Sequence, residues 1–217
     1  MVATQVLGNI TGSLGRLSKA QEQLSTTKRI NRASDDPLGS GVVMRLKATL
    51  EGLESYQRAT DAARESLESI ATPLERVTEL LQQAREVAVA GSNDANAGAR
   101  GPLAEQVDQL LEELLSQSNT RFRERYVFGG TNSTTPAYTA VRGATGRIAA
   151  VSANPAGIDG IVSAEVASGV AVQTNLQGSQ AFTSTIDLFA ALVTLRDALA
   201  AEDTAAIAGT LATLSDG

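Results

Sequence analysis

The chain has 217 residues with neither cysteine nor histidine, which excludes disulfides, thiol nucleophiles, zinc sites of the usual Cys/His kind and histidine general bases. Eighteen basic against twenty-four acidic residues leave a net charge of −6, which argues against nucleic acid or an anionic membrane surface as the main partner. Aromatic residues are only 3% and tryptophan is absent, few for a compact ligand pocket, although the length is ample for a buried core.

From the N-terminus, Ala3, Leu7, Ile10, Leu14, Leu17, Gln21 and Leu24 follow one another at alternating steps of four and three, the spacing of a heptad seam. The stripe is narrow, and Gly8, Gly12, Ser13, Gly15 and Ser18 make the rest of the surface small and weakly helix-forming. A helix of about 24 such residues is marginal alone and needs a partner, so these seven positions are the candidate assembly interface. Residues 1–8 show neither the basic region nor the apolar core of a cleavable signal, and no stretch approaches the roughly 20 apolar residues of a membrane span.

Residues 28–39 form a polar joint. Basic Lys28, Arg29 and Arg32 fall where one helix should end, and Asp35 and Asp36 where the next should begin, so both sets would complement helix dipoles. Asp36 is the expected N-cap and Pro37 the first helical residue, a position where the missing N–H costs nothing. Arg29, Asn31, Asp35, Asp36 and Pro37 are the candidate joint residues.

After the joint, Leu46, Leu53, Leu67, Leu74, Leu81 and Ala88 lie on one seven-residue repeat. Val43 and Leu50, then Tyr56, Ala63, Ile70, Val77 and Ala84 after a one-residue slip, supply a second row. The pattern predicts a long amphipathic helical region, with residues 37–72 alone reaching roughly 50 Å if straight. Thr72, Pro73 and Glu75 offer a cap, a first-turn proline and a capping-box glutamate, so a bend or restart is expected there. Gly91 to Gly98 reads as a loop, and Pro102 opens a helix with Leu103, Val107, Leu110, Leu111, Leu114 and Leu115 on its apolar face, able to pair antiparallel with the one before. Arg121 to Phe128 interleaves charge with aromatics and reads as a helix end docking its rings rather than a nucleic-acid surface.

Past Gly130 the helical spacing stops. Residues 148–151, 161–166 and 170–174 are short β-like runs broken by Asn154 to Gly157 and by Ser168-Gly169, predicting a small antiparallel sheet. Helical spacing returns from Ser184 with Ile186, Phe189, Leu192, Leu195 and Leu199, and Asp203 should cap a short helix carrying Ile207, Leu211 and Leu214. The fold class is therefore mainly α: an elongated helical bundle or coiled coil with a small β-rich insertion. Its parts are a heptad helix and joint (1–34), a long helical hairpin (35–128), the insertion (129–182) and a returning helical segment (183–217).

No catalytic or cofactor constellation emerges. Gly39-Ser40-Gly41 lacks the third glycine and preceding strand of a dinucleotide site. Asp35 and Asp36 have no third carboxylate at metal-ligand spacing, and Glu112 and Glu113, adjacent on a helix, point about 100° apart. No metal or cofactor is expected.

The segment Arg29 to Gly39, reading RINRASDDPLG between a weak heptad helix and a long one, resembles the N-terminal signature of the bacterial flagellin superfamily. Arg125 to Asn132 (RYVFGGTN), Thr134 to Tyr138 (TTPAY), Val170 to Asn175, Gly178 and Phe182 are more similar to its junction proteins, which join hook to filament, than to filament flagellin. The resemblance implies a non-enzymatic structural subunit needed for swimming motility, exported by a type III route without signal cleavage to an extracellular position at the junction. There the terminal segments form an inner coiled-coil tube. Its implied partners are copies of itself in a helical ring, a hook-associated protein on the hook side, flagellin on the filament side, and an export chaperone. The family's long C-terminal helix, which pairs with the N-terminal one, has no counterpart before Gly217, so residues 1 to about 27 are expected to be loosely packed in the free monomer, whether the chain is a fragment or a short member. A short flagellin that builds the filament itself, and more remotely a helical enzyme with a carboxylate site, are the alternative readings.

Overall fold

The computed structural model describes residues 2–93 and 98–216. It is mainly helical, with a small β-rich stretch, and divides into two compact units, residues 1–56 and 57–217.

The first unit holds helix α1 (Val2–Thr26), the joint, and the start of α2 (Pro37–Ser92). Thr27, with φ of 54°, ends α1 in the left-handed conformation that stops a helix, although it is not glycine. Lys28, Arg29 and Arg32 therefore lie beyond α1, whose last turn holds no basic residue, and the expected dipole pairing at that end gives way to side-chain ion pairs.

In the second unit the later part of α2 packs with α3 (Arg100–Ser118), as Arg76 to Glu113 (2.6 Å) and the Arg100 guanidinium on the Gly91 carbonyl (2.9 Å) mark. The second apolar row supplies the α2 side of this core: Ala63, Ile70, Val77 and Ala84 are buried, joined by Leu80 and Val87. Val107, Leu110, Leu111 and Leu114 face them from α3. The restart expected at Pro73 does not occur. Pro73 is buried inside a continuous helix on the row of Ile70 and Val77, so packing overrides the lost backbone hydrogen bond. The predicted loop begins late, because Gly91 and Ser92 are still helical; residues 94–97 of it lie outside the described residues. At position 91 a Cβ would run into Leu199 Cδ2, so a larger residue there would require the buried Leu199 side chain to move.

The β-rich stretch is three separate antiparallel hairpins rather than one sheet: β1 (Arg121–Phe122) with β2 (Arg125–Tyr126), β3 (Tyr138–Arg142) with β4 (Ile148–Ala153), and β5 (Ser163–Ala167) with β6 (Val170–Gln173). Residues 121–126, read as a helix end, turn sharply at Arg123 and Glu124, both at positive φ. Phe128 is buried as expected, but Phe122 stays partly exposed. After a short helix α4 (Gly178–Phe182) come α5 (Leu188–Ala200) and α6 (Thr204–Asp216), each N-capped by an aspartate: Asp187 accepts from the Ala190 N–H and Asp203 from the Ala206 N–H, both at 3.0 Å. The hairpin β3–β4 and helices α3, α5 and α6 share one core, centred on Phe128, Tyr138, Phe182 and Phe189.

Candidate assembly interface

Every seam residue of α1, from Ala3 through Leu7, Ile10, Leu14, Leu17 and Gln21 to Leu24, is exposed. Leu7 is 65% exposed, Leu14 59% and Leu24 80%, values at odds with the burial such side chains ordinarily reach. Val6, Asn9, Ile10, Ser13, Leu14 and Leu17 line a shallow groove along the helix, and a Cβ added at Gly8, Gly12 or Gly15 would meet nothing within 4 Å. A run of exposed leucines and isoleucine flanked by Ser13 is a surface that a second helix can cover.

What α1 does hold is the joint, and it holds it on the other side. Lys19 pairs with Asp35 at 3.0 Å, Glu22 with Arg32 at 3.5 Å, and the Gln23 amide donates to the Arg29 carbonyl at 2.8 Å. At about 100° per residue, positions 19, 22 and 23 fall roughly opposite Leu17, Gln21 and Leu24. The joint docks on the polar face and leaves the seam open.

Within the joint, the Asp35 carboxylate accepts the N–H groups of Asn31 (3.2 Å) and Arg32 (3.0 Å), closing a turn rather than starting a helix. Asp36 is the N-cap: it accepts the Gly39 N–H at 2.9 Å and pairs with Arg29 at 3.0 Å, with Pro37 opening α2. The Asn31 amide donates to the Lys28 carbonyl at 3.3 Å. Gly39 suits this packing, since a Cβ there would sit against the Asp36 carboxylate and 2.7 Å from Ile30 Cδ1 and would push the capping carboxylate from its place. Residues 29, 31, 35, 36 and 37 are thus gathered in one knot with Gly39, the last residue of the joint, and with Lys19, Glu22 and Gln23 of α1, which the sequence pattern did not single out. The spacing of 19, 22 and 23 on one α1 face was the available signal.

The hydrogen bond from Lys19, then the Arg32 N–H, holds the Asp35 carboxyl below the usual aspartate range; the Gly39 N–H, then Arg29, does the same for Asp36. A carboxylate favoured in the folded state stabilises it above its unfolded pKa, and that contribution is lost as pH falls through the lowered folded value. The amide NMR signals of Asn31, Arg32 and Gly39 should therefore hold their native positions down to about pH 4 and move only below it. Movement between about pH 5 and pH 7 would show that these carboxylates do not carry the knot.

The carboxylates weighed for chemistry have structural partners. Glu112 pairs with Arg142, which lowers its pKa, and Glu113 pairs with Arg76. Among the described residues no group of three acidic side chains is arranged to hold a metal, and no helix is long and apolar enough to cross a membrane.

Residues 1–133 match the family model described as the bacterial flagellin N-terminal helical region, which is more than half of the chain. The chain belongs to the bacterial flagellin family. This flagellin-family chain is 37% identical over 99 residues to the flagellar filament 41 kDa core protein of Borreliella burgdorferi, covering 45% of the chain and 30% of that protein. It is 30% identical over 145 residues to the flagellar hook-associated protein 3 of Escherichia coli, covering 66% and 46%. It spans between about a third and a half of the length of such curated relatives. Among solved structures, Bacillus cereus FlgL shares the fold with a TM-score of 0.61 at 17% identity, covering 82% of each chain. The flagellar junction protein FlgL from Legionella pneumophila does so with a TM-score of 0.54 at 24% identity, covering 68% of this chain and 42% of that one.

Proposed function

We propose that the protein is a structural subunit of the bacterial flagellum, seated at the hook-filament junction and assembled through the open seam of α1. The observation that carries this reading is the uncovered heptad stripe on a helix whose other face is anchored by the joint. The junction is favoured over the filament by the likeness to hook-associated protein 3, which runs for 145 residues, past the helices and into the β-rich stretch. Its neighbours would be copies of itself, a hook-associated protein on one side and flagellin on the other, with an export chaperone beforehand. It would reach an extracellular position by type III export without losing a signal peptide, and it would catalyse nothing. A chain without histidine or cysteine, in a family whose relatives carry the names of flagellar structural proteins, is in keeping with that.

A filament-forming role is the second reading, supported by the 37% identity to the Borreliella filament protein. Deleting the gene in a motile cell separates the two. Loss of a junction subunit leaves hooks bare and releases intact flagellin into the medium, and the protein is recovered in few copies per flagellum. Full-length filaments in the deletion strain, or the chain recovered as the bulk of the filament, would overturn the junction reading.

A further inference from the structure

The charge of this chain is unevenly placed. Residues 1–56 carry seven basic and five acidic side chains, including all three lysines, whereas residues 57–217 carry eleven and nineteen. The first unit is therefore +2 and the second −8.

The positive excess is concentrated around a hollow of about 750 Å³ in the first unit. Thr26, Ile30, Asn31 and Val43 line it together with Lys28, Arg29 and Lys47, so it combines the apolar side chains of Ile30 and Val43 with three cationic ones. Arg29 is neutralised by Asp36, but Lys28 and Lys47 are exposed and have no ion-pair partner among the described residues. A concave surface with uncompensated ammonium groups over apolar side chains suits a protein face that bears carboxylates on an otherwise ordered element.

The second unit carries such a face. Glu75, Glu79, Gln82 and Glu86 recur at steps of four, three and four on α2, which places them in one row, and the three glutamates are exposed. At about 100° per residue this row lies opposite the buried row of Val77, Leu80, Ala84 and Ala88, so packing of the core leaves it free to meet another molecule. Glu79 shares Arg76 with Glu113, while Glu75 and Glu86 have no ion-pair partner among the described residues.

We propose that the basic hollow at Lys28 and Lys47 docks the Glu75, Glu79 and Glu86 row of a second copy of this chain. The contact is head-to-tail: each copy offers both surfaces, and one contact leaves the next pair open, which propagates a ring or a stack. It deepens the junction reading and rests on it, adding a charge-based contact to the apolar one made by the α1 seam.

None of the 217 residues is a cysteine, so none of them competes with the introduced thiols. The full reading frame carrying both Lys47→Cys and Glu79→Cys is expressed in the motile cell, flagella are isolated and oxidised, and the chain is resolved without reductant. A ladder of disulfide-linked copies is expected, absent when Glu165→Cys replaces Glu79→Cys. Incorporated chain that stays monomeric, closes on itself, or gives an equal ladder with the Glu165 control would overturn the contact. Charge reversal decides the case where the cysteine variant does not incorporate: Lys28→Glu with Lys47→Glu should lower the amount in flagella about tenfold, and Glu75→Lys with Glu79→Lys in the same chain should restore it. No loss, or loss without restoration, contradicts the pairing. If even the unsubstituted chain is absent from flagella, the junction reading fails rather than this contact alone.

Discussion

Phe182→Ala is expected to lower the unfolding free energy of the residue 57–217 unit by about 4 kcal/mol. The ring is 1% exposed and touches three others: Phe128 edge-on at 5.0 Å, Tyr138 at 5.4 Å and Phe189 at 5.9 Å between centroids. These four residues come from the β2–β3 connection, β3, α4 and α5, so the cavity would open where the β-rich stretch meets the helices. The three neighbouring rings are themselves at most 2% exposed and committed to their own contacts, so they cannot close the gap without opening another, which places the cost high in the range for such truncations. Urea denaturation checks this: the midpoint should fall with little change in slope. A loss below about 1 kcal/mol would mean that this cluster is not the anchor of the β-rich stretch.

Arg196→Ala is expected to cost about 3 kcal/mol in the same unit. The Arg196 side chain is only 7% exposed and bonds to Asp108 at 3.1 Å, to the Ile148 carbonyl at 2.5 Å and to Asp197, so it ties α5 to α3 and to the first residue of β4. Removing it leaves a carbonyl without its donor and Asp108 with only the weaker approach of Arg147 at 3.9 Å. The stranded partners dominate the loss, so Arg196→Ala combined with Asp108→Asn should be less destabilised than the sum of the single variants. Thermal unfolding followed by circular dichroism should place the Arg196→Ala midpoint about 10 °C below the parent, given about 2–4 °C per kcal/mol at this size. A double variant that is strictly additive would show that the guanidinium and the carboxylate act independently.

The helices were legible because their signals are local. Seven-residue rows, the Asp36 and Asp203 caps and Pro37 need only near neighbours in the chain, and each is where the pattern put it. The restart read at Pro73 does not occur because Pro73 shares a buried face with Ile70 and Val77 against α3, a contact no window of residues reports. Strand β3 was missed for a related reason: Tyr138 to Arg142 is short and becomes a strand by pairing with β4 after a turn, while Tyr138 is recognisable as core only once Phe182 and Phe189 are brought to it. The turn at Arg123 and Glu124 carries none of the usual Gly or Asn signal, since two charged residues take the left-handed conformation there.

The interface divides the same way. The seam of α1 could be read from spacing alone, and so could the Asp36 cap. The pairing of Asp35 with Lys19 and of Arg32 with Glu22 could not, because it needs the chain to fold back over the last turns of α1. That fold-back gives the seam its meaning: the joint covers the polar face, and the apolar one is left for a partner.

Amide hydrogen exchange across Leu7 to Leu24, compared between the free chain and flagella that contain it, tests this most directly. In the free chain the amides from Leu7 to Leu17, ahead of the turns that the joint holds, should exchange nearly as fast as in an unfolded peptide, since an exposed helix of this composition is marginal by itself. In flagella they should slow by about a hundredfold or more as the seam is covered. Strong protection of the same amides in the free chain, or none in flagella, would contradict the role assigned to α1.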